Sequence, residues 1–295
     1  MDKKKVILVI PYRGIGDLIF HIPLIRGLYA KYKSKIIIIT NKVNKAKSLL
    51  VNEICIKKIE YINFERENQL EKSFFFLRKI NSYNSDICIL TAPTKRLIIP
   101  LLLSNSKNKI YFKKDNIKDL SKYIIKQSKI KFKDFNFIYN YSLEFKKPKN
   151  VNKNVFISID SRHDSNNWSQ IYYIELVDKI LNNKSIKKIY INFDPSKYEN
   201  FKKIFNKFKK EEKVIFVYKY KFKKLIKLMN NCLFVIGNES GPICIGAALK
   251  KKVLSIYYPK HTNRSSKTIY NKVKFFNTNI LSSKKIISSI LSILK

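Results

Sequence analysis

The chain has 295 residues, enough for two domains that each bury a core, and 45% of them are hydrophobic, which excludes a chain disordered throughout. Its formal net charge is +40, from 61 Lys and Arg against 21 Asp and Glu. Because the lysines are scattered along the sequence, we favour a general compositional bias over a dedicated polyanion site. Either origin gives a surface that favours anionic substrates and acidic membranes.

The cysteines indicate a reduced, cytoplasmic setting. They show neither C-x-x-C spacing nor a partnering His cluster, and they are Cys55, Cys88, Cys232 and Cys244. We expect no signal peptide, because the first apolar run is short and is broken by Arg13 and Asp17. The later apolar stretch 97–103 is far below the ~20 residues of a membrane span, so a soluble protein is expected.

Short runs rich in Ile and Val alternate with amphipathic segments in the first half of the chain. Continuous apolar runs without alternation indicate strands buried on both faces, as in a parallel sheet covered by helices. The predicted strands are 5–11, 34–40, 57–64, 86–92 and 108–112, and the predicted helices are 18–32, 43–51, 68–81 and 94–104.

A second series of the same kind follows. Its predicted strands are 154–160, 186–193, 213–219, 232–238 and 252–259, with helices near 170–182, 196–210, 221–230, 241–249 and 282–295. The charged, aromatic segment 126–153 lacks a clear period and is interpreted as the connection. The sequence therefore predicts an α/β protein with two Rossmann-like domains, 1–150 and 151–295, facing each other across a cleft, with the last helix packing back on the first domain.

The loop after the first strand contains Gly14, Gly16 and Asp17. Two glycines let the backbone turn sharply and leave room for a ligand. A carboxylate at a helix start would repel a phosphate, however, and the spacing does not match the G-x-G-x-x-G dinucleotide fingerprint. A nicotinamide enzyme is therefore disfavoured, and Asp17 as a structural N-cap remains an open interpretation.

The loop in "VIGNESGPICIGAAL" (235–249) leads from a strand into a helix of small residues. The free amides of the first helical turn and the Ser240 hydroxyl could form an anion seat. We favour that seat over an ordinary turn capped by Ser240, because Gly241, Gly246 and Ala247 are expected to keep side chains away from the helix end.

The loop in "IDSRHDSNNWSQ" (159–170) also follows a strand. Ser161 and the fork-shaped Arg162 are a plausible phosphate clamp, and Trp168 is expected to pack in the core.

Together the three loops resemble the bacterial heptosyltransferases, glycosyltransferase family 9. "IGDLIFHIPLIRGL" is similar to the opening Gly-Asp motif, "VIGNESGPICIGAAL" to the Asn-Asp-Ser/Thr-Gly-Pro-x-His signature, and "SRHDSNNWSQ" to a segment ending in Lys-x-Trp-Pro. The chain departs from these motifs at four positions, where Glu239, Cys244, Asn166 and Ser169 replace the family's Asp, His, Lys and Pro. The missing Lys normally meets the donor diphosphate, so donor identity is open.

The resemblance implies a two-domain GT-B fold, with an acceptor-binding first domain and a donor-binding second domain. It implies inverting transfer from a nucleoside-diphosphate sugar, ADP-heptose by default, to a lipopolysaccharide, lipooligosaccharide or related glycan. Asp17 is then the general base. The substrate-binding candidates are Gly14, Gly16, Ser161, Arg162, Asn166, Glu239, Ser240, Gly241 and Cys244. No metal, cofactor or nucleic-acid partner is expected. Peripheral contact with the anionic inner membrane surface is expected.

Two other functions remain open. The departures permit a non-catalytic relative that binds a nucleotide sugar or glycan without turnover. The net charge permits a basic nucleic-acid-binding protein, which would bind any duplex with strong salt dependence but leaves the glycine loops unexplained.

Overall fold

A computed structural model describes residues 3–64, 69–92, 94–113, 120–128, 142–146, 148, 152–161, 167–257 and 273–294. The chain divides into two compact units, Met1–Glu144 and Phe145–Lys295. Each unit contains its own parallel sheet. The expected fold class, α/β of GT-B type, is thereby confirmed in its two parallel sheets, while the domain roles stay predictions.

The first unit is built on a five-stranded sheet in the order β3-β2-β1-β4-β5. Every strand pair in it is parallel, so the carboxyl ends of the strands share one edge. The strands are β1 (Val6–Ile10), β2 (Ile36–Thr40), β3 (Ile56–Tyr61), β4 (Ile87–Leu90) and β5 (Asn108–Tyr111). The central strands β1, β2 and β4 are buried along their whole length, as their unbroken apolar sequences predict.

Helices alternate with these strands. They are α1 (Ile15–Phe20), α2 (Ile22–Tyr32), α3 (Ala46–Leu49), α4 (Gln69–Asn81), α5 (Lys95–Leu103) and α6 (Leu120–Gln127). The predicted helix 18–32 is two helices that meet at His21, because Pro23 in the first turn of α2 has no amide hydrogen to continue the bonding of α1. The predicted helix 43–51 is a 3-10 turn at Lys42–Asn44 followed by the short α3, and α6 was not predicted. The predicted connection 126–153 falls largely outside the described residues.

The second unit is built on a six-stranded sheet in the order β11-β10-β9-β6-β7-β8, again with every pair parallel. Its strands are β6 (Asn152–Ser158), β7 (Ile189–Asn192), β8 (Val214–Phe216), β9 (Cys232–Asn238), β10 (Lys252–Tyr257) and β11 (Val273–Asn277). Sequence patterning missed β11, a partly exposed edge strand interrupted by Lys274. Since β6 and β9 are neighbours, the loops that follow them are adjacent.

The helices of the second unit are α7 (Gln170–Leu181), α8 (Tyr198–Phe208), α9 (Phe222–Asn230), α10 (Gly241–Ala248) and α11 (Ser283–Leu294). The last helix, α11, contacts α7, and its Ile286, Ile287 and Ile290 are buried in the core of this unit. The expected packing of this helix on the first domain stays a prediction. Among the described helices, none is both long and apolar enough to cross a membrane.

Candidate functional site

The loop after β1 places the Asp17 carboxylate over Gly14. Gly14 is the N-cap residue of α1, and Asp17 lies in the first turn of that helix. A Cβ atom added to Gly14 would come within 2.5 Å of Asp17 Oδ2, so a larger residue there would push the carboxylate away. Gly14 has φ −77° and ψ 139°, which any residue adopts. Its function here is close approach, and the expected sharp turn at this glycine is wrong.

The position of Asp17 also corrects the N-cap interpretation. The cap is Gly14, and Gly16 and Asp17 both lie inside α1. A carboxylate in the first turn still interacts favourably with the helix dipole. Its role as a base stays a prediction.

The other side chain of note at this helix junction is His21. It is 1% exposed, and its ring centroid lies 5.8 Å from that of Tyr12. Burial lowers the pKa of His21 to about 4, so the imidazole is neutral at physiological pH.

In the second unit, Gly237 makes room between two serines. It has φ +153°, and a Cβ atom there would overlap the backbone oxygen of Ser158. The sheet register aligns Gly237 with Ser158 of β6 on one side and Ser255 of β10 on the other. The hydroxyl oxygens of both serines are buried and have no hydrogen-bond partner.

A third hydroxyl of the same kind lies just beyond β9. Ser240 is the N-cap residue of α10, but its side chain makes no capping hydrogen bond, and its Oγ atom is buried without a partner. The amide of Cys244 bonds to the Ser240 carbonyl, which leaves the Gly241 and Ile243 amides at the helix start without an intrahelical acceptor. Glu239 links β9 to β10 through its amide and the Ile256 carbonyl. The start of α10 thus combines amide donors with a buried hydroxyl.

Gly246 has a different function from the one expected. It lies inside α10, where an added Cβ atom would come within 2.9 Å of three side-chain carbons of Val235. It therefore lets α10 pack closely on β9 and has no part in clearing the helix end.

The loop after β6 is described only at its two ends, and Arg162 and Asn166 lie outside the described residues. The Ser161 amide donates to Asn167 Oδ1 at 2.6 Å, and its carbonyl accepts from Lys197 Nζ at 2.8 Å. Trp168 is 2% exposed and packs in the core of this unit, as predicted.

Asn238 joins the two loops of the second unit, and sequence reasoning missed it. Its Nδ2 donates to the Ile159 carbonyl at 2.9 Å, and its Oδ1 accepts from the Trp168 amide at 2.9 Å. The side chain is fully buried. The available signal was an amide residue placed directly at the end of a buried central strand, where its side chain can replace missing backbone partners.

Two further features lie next to the loop that follows β6, a buried carboxylate and a cavity. Burial raises the pKa of Asp160 to about 6, and its carboxylate accepts from the Asp194 amide at 3.0 Å. A cavity of about 610 Å³ lies between the starts of α7 and α8, lined by Asn167, Ser169, Glu199, Lys203 and their neighbours.

In the part of the chain that the structure describes, no three His, Cys, Asp or Glu side chains form a cluster suited to a metal ion.

A comparison with protein families finds a match that covers more than half of the chain. The profile of glycosyltransferase family 9 (heptosyltransferase) matches residues 118–287. A search of curated proteins finds no match.

Solved structures share the fold over the whole chain. The family 9 glycosyl transferase of Veillonella parvula has TM-score 0.80 at 15% identity, covering 99% of this chain and 97% of that one. The ADP-heptose lps heptosyltransferase II of E. coli has TM-score 0.77 at 11% identity, covering 98% of each chain. E. coli heptosyltransferase WaaC, solved with ADP, has TM-score 0.68 at 13% identity and 98% coverage of each chain. WaaC has also been solved with ADP-2-deoxy-2-fluoro heptose.

The two parallel sheets, each with a glycine-containing loop at the carboxyl end of a central strand, have the GT-B fold of the heptosyltransferase structures. The chain belongs to glycosyltransferase family 9, the heptosyltransferase family.

Proposed function

We propose that this protein transfers a sugar from a nucleoside-diphosphate sugar to a hydroxyl of a glycan acceptor, with inversion at the anomeric carbon. The observation that carries the proposal is the buried, unpartnered hydroxyl of Ser240 beside the open amides at the start of α10. A buried hydroxyl without a partner is costly, and a phosphate oxygen would satisfy it.

The donor diphosphate is assigned to this helix start. The amides of Gly241 and Ile243 lie at the positive end of the helix dipole of α10, and this end favours an anion. When the sugar leaves, negative charge grows on the diphosphate, and donors already in place stabilise it without reorganising. Ser161 and the sequence-predicted Arg162 extend the site on the neighbouring loop, and Glu239 and Cys244 flank it. The cavity of about 610 Å³ beside this loop lies within the range of small-molecule sites.

The acceptor is assigned to the first unit, where Asp17 is the base. The Asp17 carboxylate takes the proton from the acceptor hydroxyl as that oxygen attacks the anomeric carbon. The bond from this carbon to the diphosphate oxygen breaks, and its electron pair leaves with the nucleoside diphosphate. The absence of a side chain at Gly14 supports this assignment, because a Cβ atom there would come within 2.5 Å of Asp17 Oδ2 and displace the carboxylate.

The proposed substrates are supported by what the relatives bind. WaaC binds ADP and an ADP-heptose analogue, which favours ADP-heptose as the donor here. The proposed acceptor is a lipopolysaccharide or lipooligosaccharide core at the anionic inner membrane surface. We propose transfer without a metal ion, the leaving group being stabilised by amides, hydroxyls and cations.

A panel of nucleoside-diphosphate sugars tests the proposal. In a thermal-shift assay, one donor should raise the melting temperature selectively, and product should form when a core acceptor is added. Selective stabilisation without product would identify the non-catalytic relative. No stabilisation by any nucleotide, together with salt-dependent binding to duplex DNA, would contradict the proposal and favour the nucleic-acid-binding function.

A further inference from the structure

The outer faces of α4 and α5 form an apolar surface on the first unit. More than half of the large apolar side chains that the described residues expose lie on these two helices: Leu70, Phe74, Phe75, Ile99, Leu102 and Leu103. Their exposures run from 49% for Leu102 to 79% for Leu70. We call this set the α4–α5 patch.

The inner faces of the same helices are already satisfied. Phe76 and Ile80 of α4, with Leu97 and Leu101 of α5, are buried against the sheet in the core of this unit. Both helices are therefore apolar on two sides. A surface helix normally places polar residues on its outer side, so the α4–α5 patch requires an explanation.

The patch is also concave. A cavity of about 260 Å³ lies between the two helices, lined on the α4 side by Leu70, Phe74 and Leu77 and on the α5 side by Ile99, Pro100 and Leu103. These positions follow helical spacing, so they form one continuous face. Ser73 Oγ donates to the Arg96 carbonyl at 3.2 Å and links the two helices, and both residues also line the cavity.

Cations border the apolar face. The exposed Arg78 lies one turn from Phe74 and Phe75, and the exposed Lys95 lies one turn from Ile99. Helices α4 and α5 contain five Lys or Arg residues and one carboxylate, Glu71. The surface therefore combines apolar side chains with a positive margin, on a chain of net charge +40.

We propose that the α4–α5 patch docks on an anionic phospholipid bilayer. The apolar side chains enter the boundary between headgroups and acyl chains, and the cations meet the anionic headgroups. Stable attachment to a membrane surface takes two such contributions, because either one alone is marginal. This inference rests on the proposed function in one respect, that the glycan acceptor lies at a membrane. What it adds is the surface of the protein that contacts the membrane, the α4–α5 patch.

Vesicle flotation with the full chain tests this inference. Phe74→Gln/Leu103→Gln removes two exposed apolar side chains and leaves the charge unchanged. Ile54→Gln/Ile280→Gln is the matched control, because these residues are 71% and 77% exposed and lie elsewhere on the chain. We expect the wild type and the control to bind phosphatidylglycerol vesicles better than phosphatidylcholine vesicles. We expect the patch variant to bind at least about tenfold more weakly.

The charge is tested separately with Arg78→Gln/Lys95→Gln, which should reduce the preference for anionic over neutral vesicles. The proposal would be overturned if the wild type, the patch variant and the charge variant bound vesicles equally well. It would also be overturned if the wild type bound no vesicles. Concentration-dependent self-association lost only in the patch variant, without vesicle binding, would assign the face to a second copy of the chain. Calorimetric titration of the donor into the same proteins keeps the two hypotheses apart, because donor binding tests the transferase and vesicle binding tests the patch.

Discussion

The Nδ1 atom of His21 donates a hydrogen bond to the backbone carbonyl of Asp17 at 2.6 Å. The His21 amide bonds to the Leu18 carbonyl instead, so the carbonyl of Asp17 loses the partner that a continuous helix would supply. The imidazole replaces it at the break between α1 and α2. Because a carbonyl only accepts, Nδ1 carries the proton, and the low pKa keeps the ring neutral. His21 therefore fixes the backbone of the residue that we propose as the base.

Asp17→Asn tests that base. Amide and carboxylate have the same shape, so we expect the fold and the donor affinity to persist. Transfer should slow by about 10²–10⁴-fold, because the amide cannot accept the proton. Initial rates with saturating donor and acceptor measure this loss. Asp178→Asn, an exposed carboxylate on α7, is the control and should keep its rate. Unchanged turnover in Asp17→Asn would return Asp17 to a purely structural function.

Arg162→Ala tests the phosphate clamp predicted from sequence. With Asn166 in place of the family's Lys, Arg162 is the nearest candidate along the sequence of the same loop for the missing positive charge. We expect its removal to weaken donor binding by about 1.5–3 kcal/mol, the range for a hydrogen bond to a charged group. Asn166→Lys should be tolerated and should not weaken binding. Isothermal titration with the nucleoside diphosphate measures both, and equal affinity in wild type and Arg162→Ala would remove Arg162 from the site.

Asn238→Ala should destabilise the second unit. The change leaves the Ile159 carbonyl and the Trp168 amide without their buried partner. A lost partner of this kind costs about 1–3 kcal/mol for each unsatisfied group. Urea unfolding measures the free energy, with the exposed Asn231→Ala as a control. If both variants unfold alike, Asn238 does not join the two loops in solution.

Gly246→Ala should cost about 1–3 kcal/mol through overpacking of α10 on β9. Val235→Ala removes two of the three carbons that the new methyl group would meet, Cγ1 and Cγ2, and keeps Cβ. The double variant should therefore lose less free energy of unfolding than the two single variants together. A double-mutant cycle in urea gives this coupling, and strictly additive losses would mean that the helix shifts freely.

Asp160→Asn should stabilise the protein at neutral pH and above. Burial raises the pKa of Asp160 to about 6, so between about pH 4 and 6 the folded state holds a proton that the unfolded state has lost. The free energy of unfolding contributed by this group therefore falls as the pH rises through that window. Asparagine keeps an oxygen for the Asp194 amide and never ionises.

At about 1.4 kcal/mol for each pKa unit, the gain in Asp160→Asn at pH 8 is about 2–3 kcal/mol, and it disappears near pH 4. Thermal or urea unfolding of both proteins from pH 4 to 8 measures it. His21 contributes with the opposite sign in an overlapping window, since its buried ring resists protonation, but it cancels when variant and wild type are compared. A difference that does not change with pH would contradict the assignment.

The central strands could be predicted from sequence, because each is an uninterrupted apolar run and its burial can be inferred without knowing its partners. The geometry of the site was harder to predict. Gly14 was expected to turn the backbone and leave room for a ligand, and Gly246 to clear the start of the helix. The groups that actually approach them, Asp17 Oδ2 and Val235, depend on helix placement in three dimensions. Asn238 was missed because its partners, Trp168 and Ile159, lie 70 and 79 residues away along the chain. The edge strand β11 was missed because an exposed lysine breaks its apolar pattern.

The strand order of the first unit determines when each strand can pair as the chain is synthesised. β1 lies between β2 and β4, so the first strand of this sheet to be synthesised lacks one of its two partners until Leu90 has been made. All of this sheet lies before residue 112, and the second sheet begins only at Asn152. The first sheet can thus close while the second unit is still being translated, because domains fold as units during synthesis. Until β4 has been made, the nascent chain exposes one edge of the apolar strand "VILVI", and unpaired strand edges of this kind are prone to aggregation.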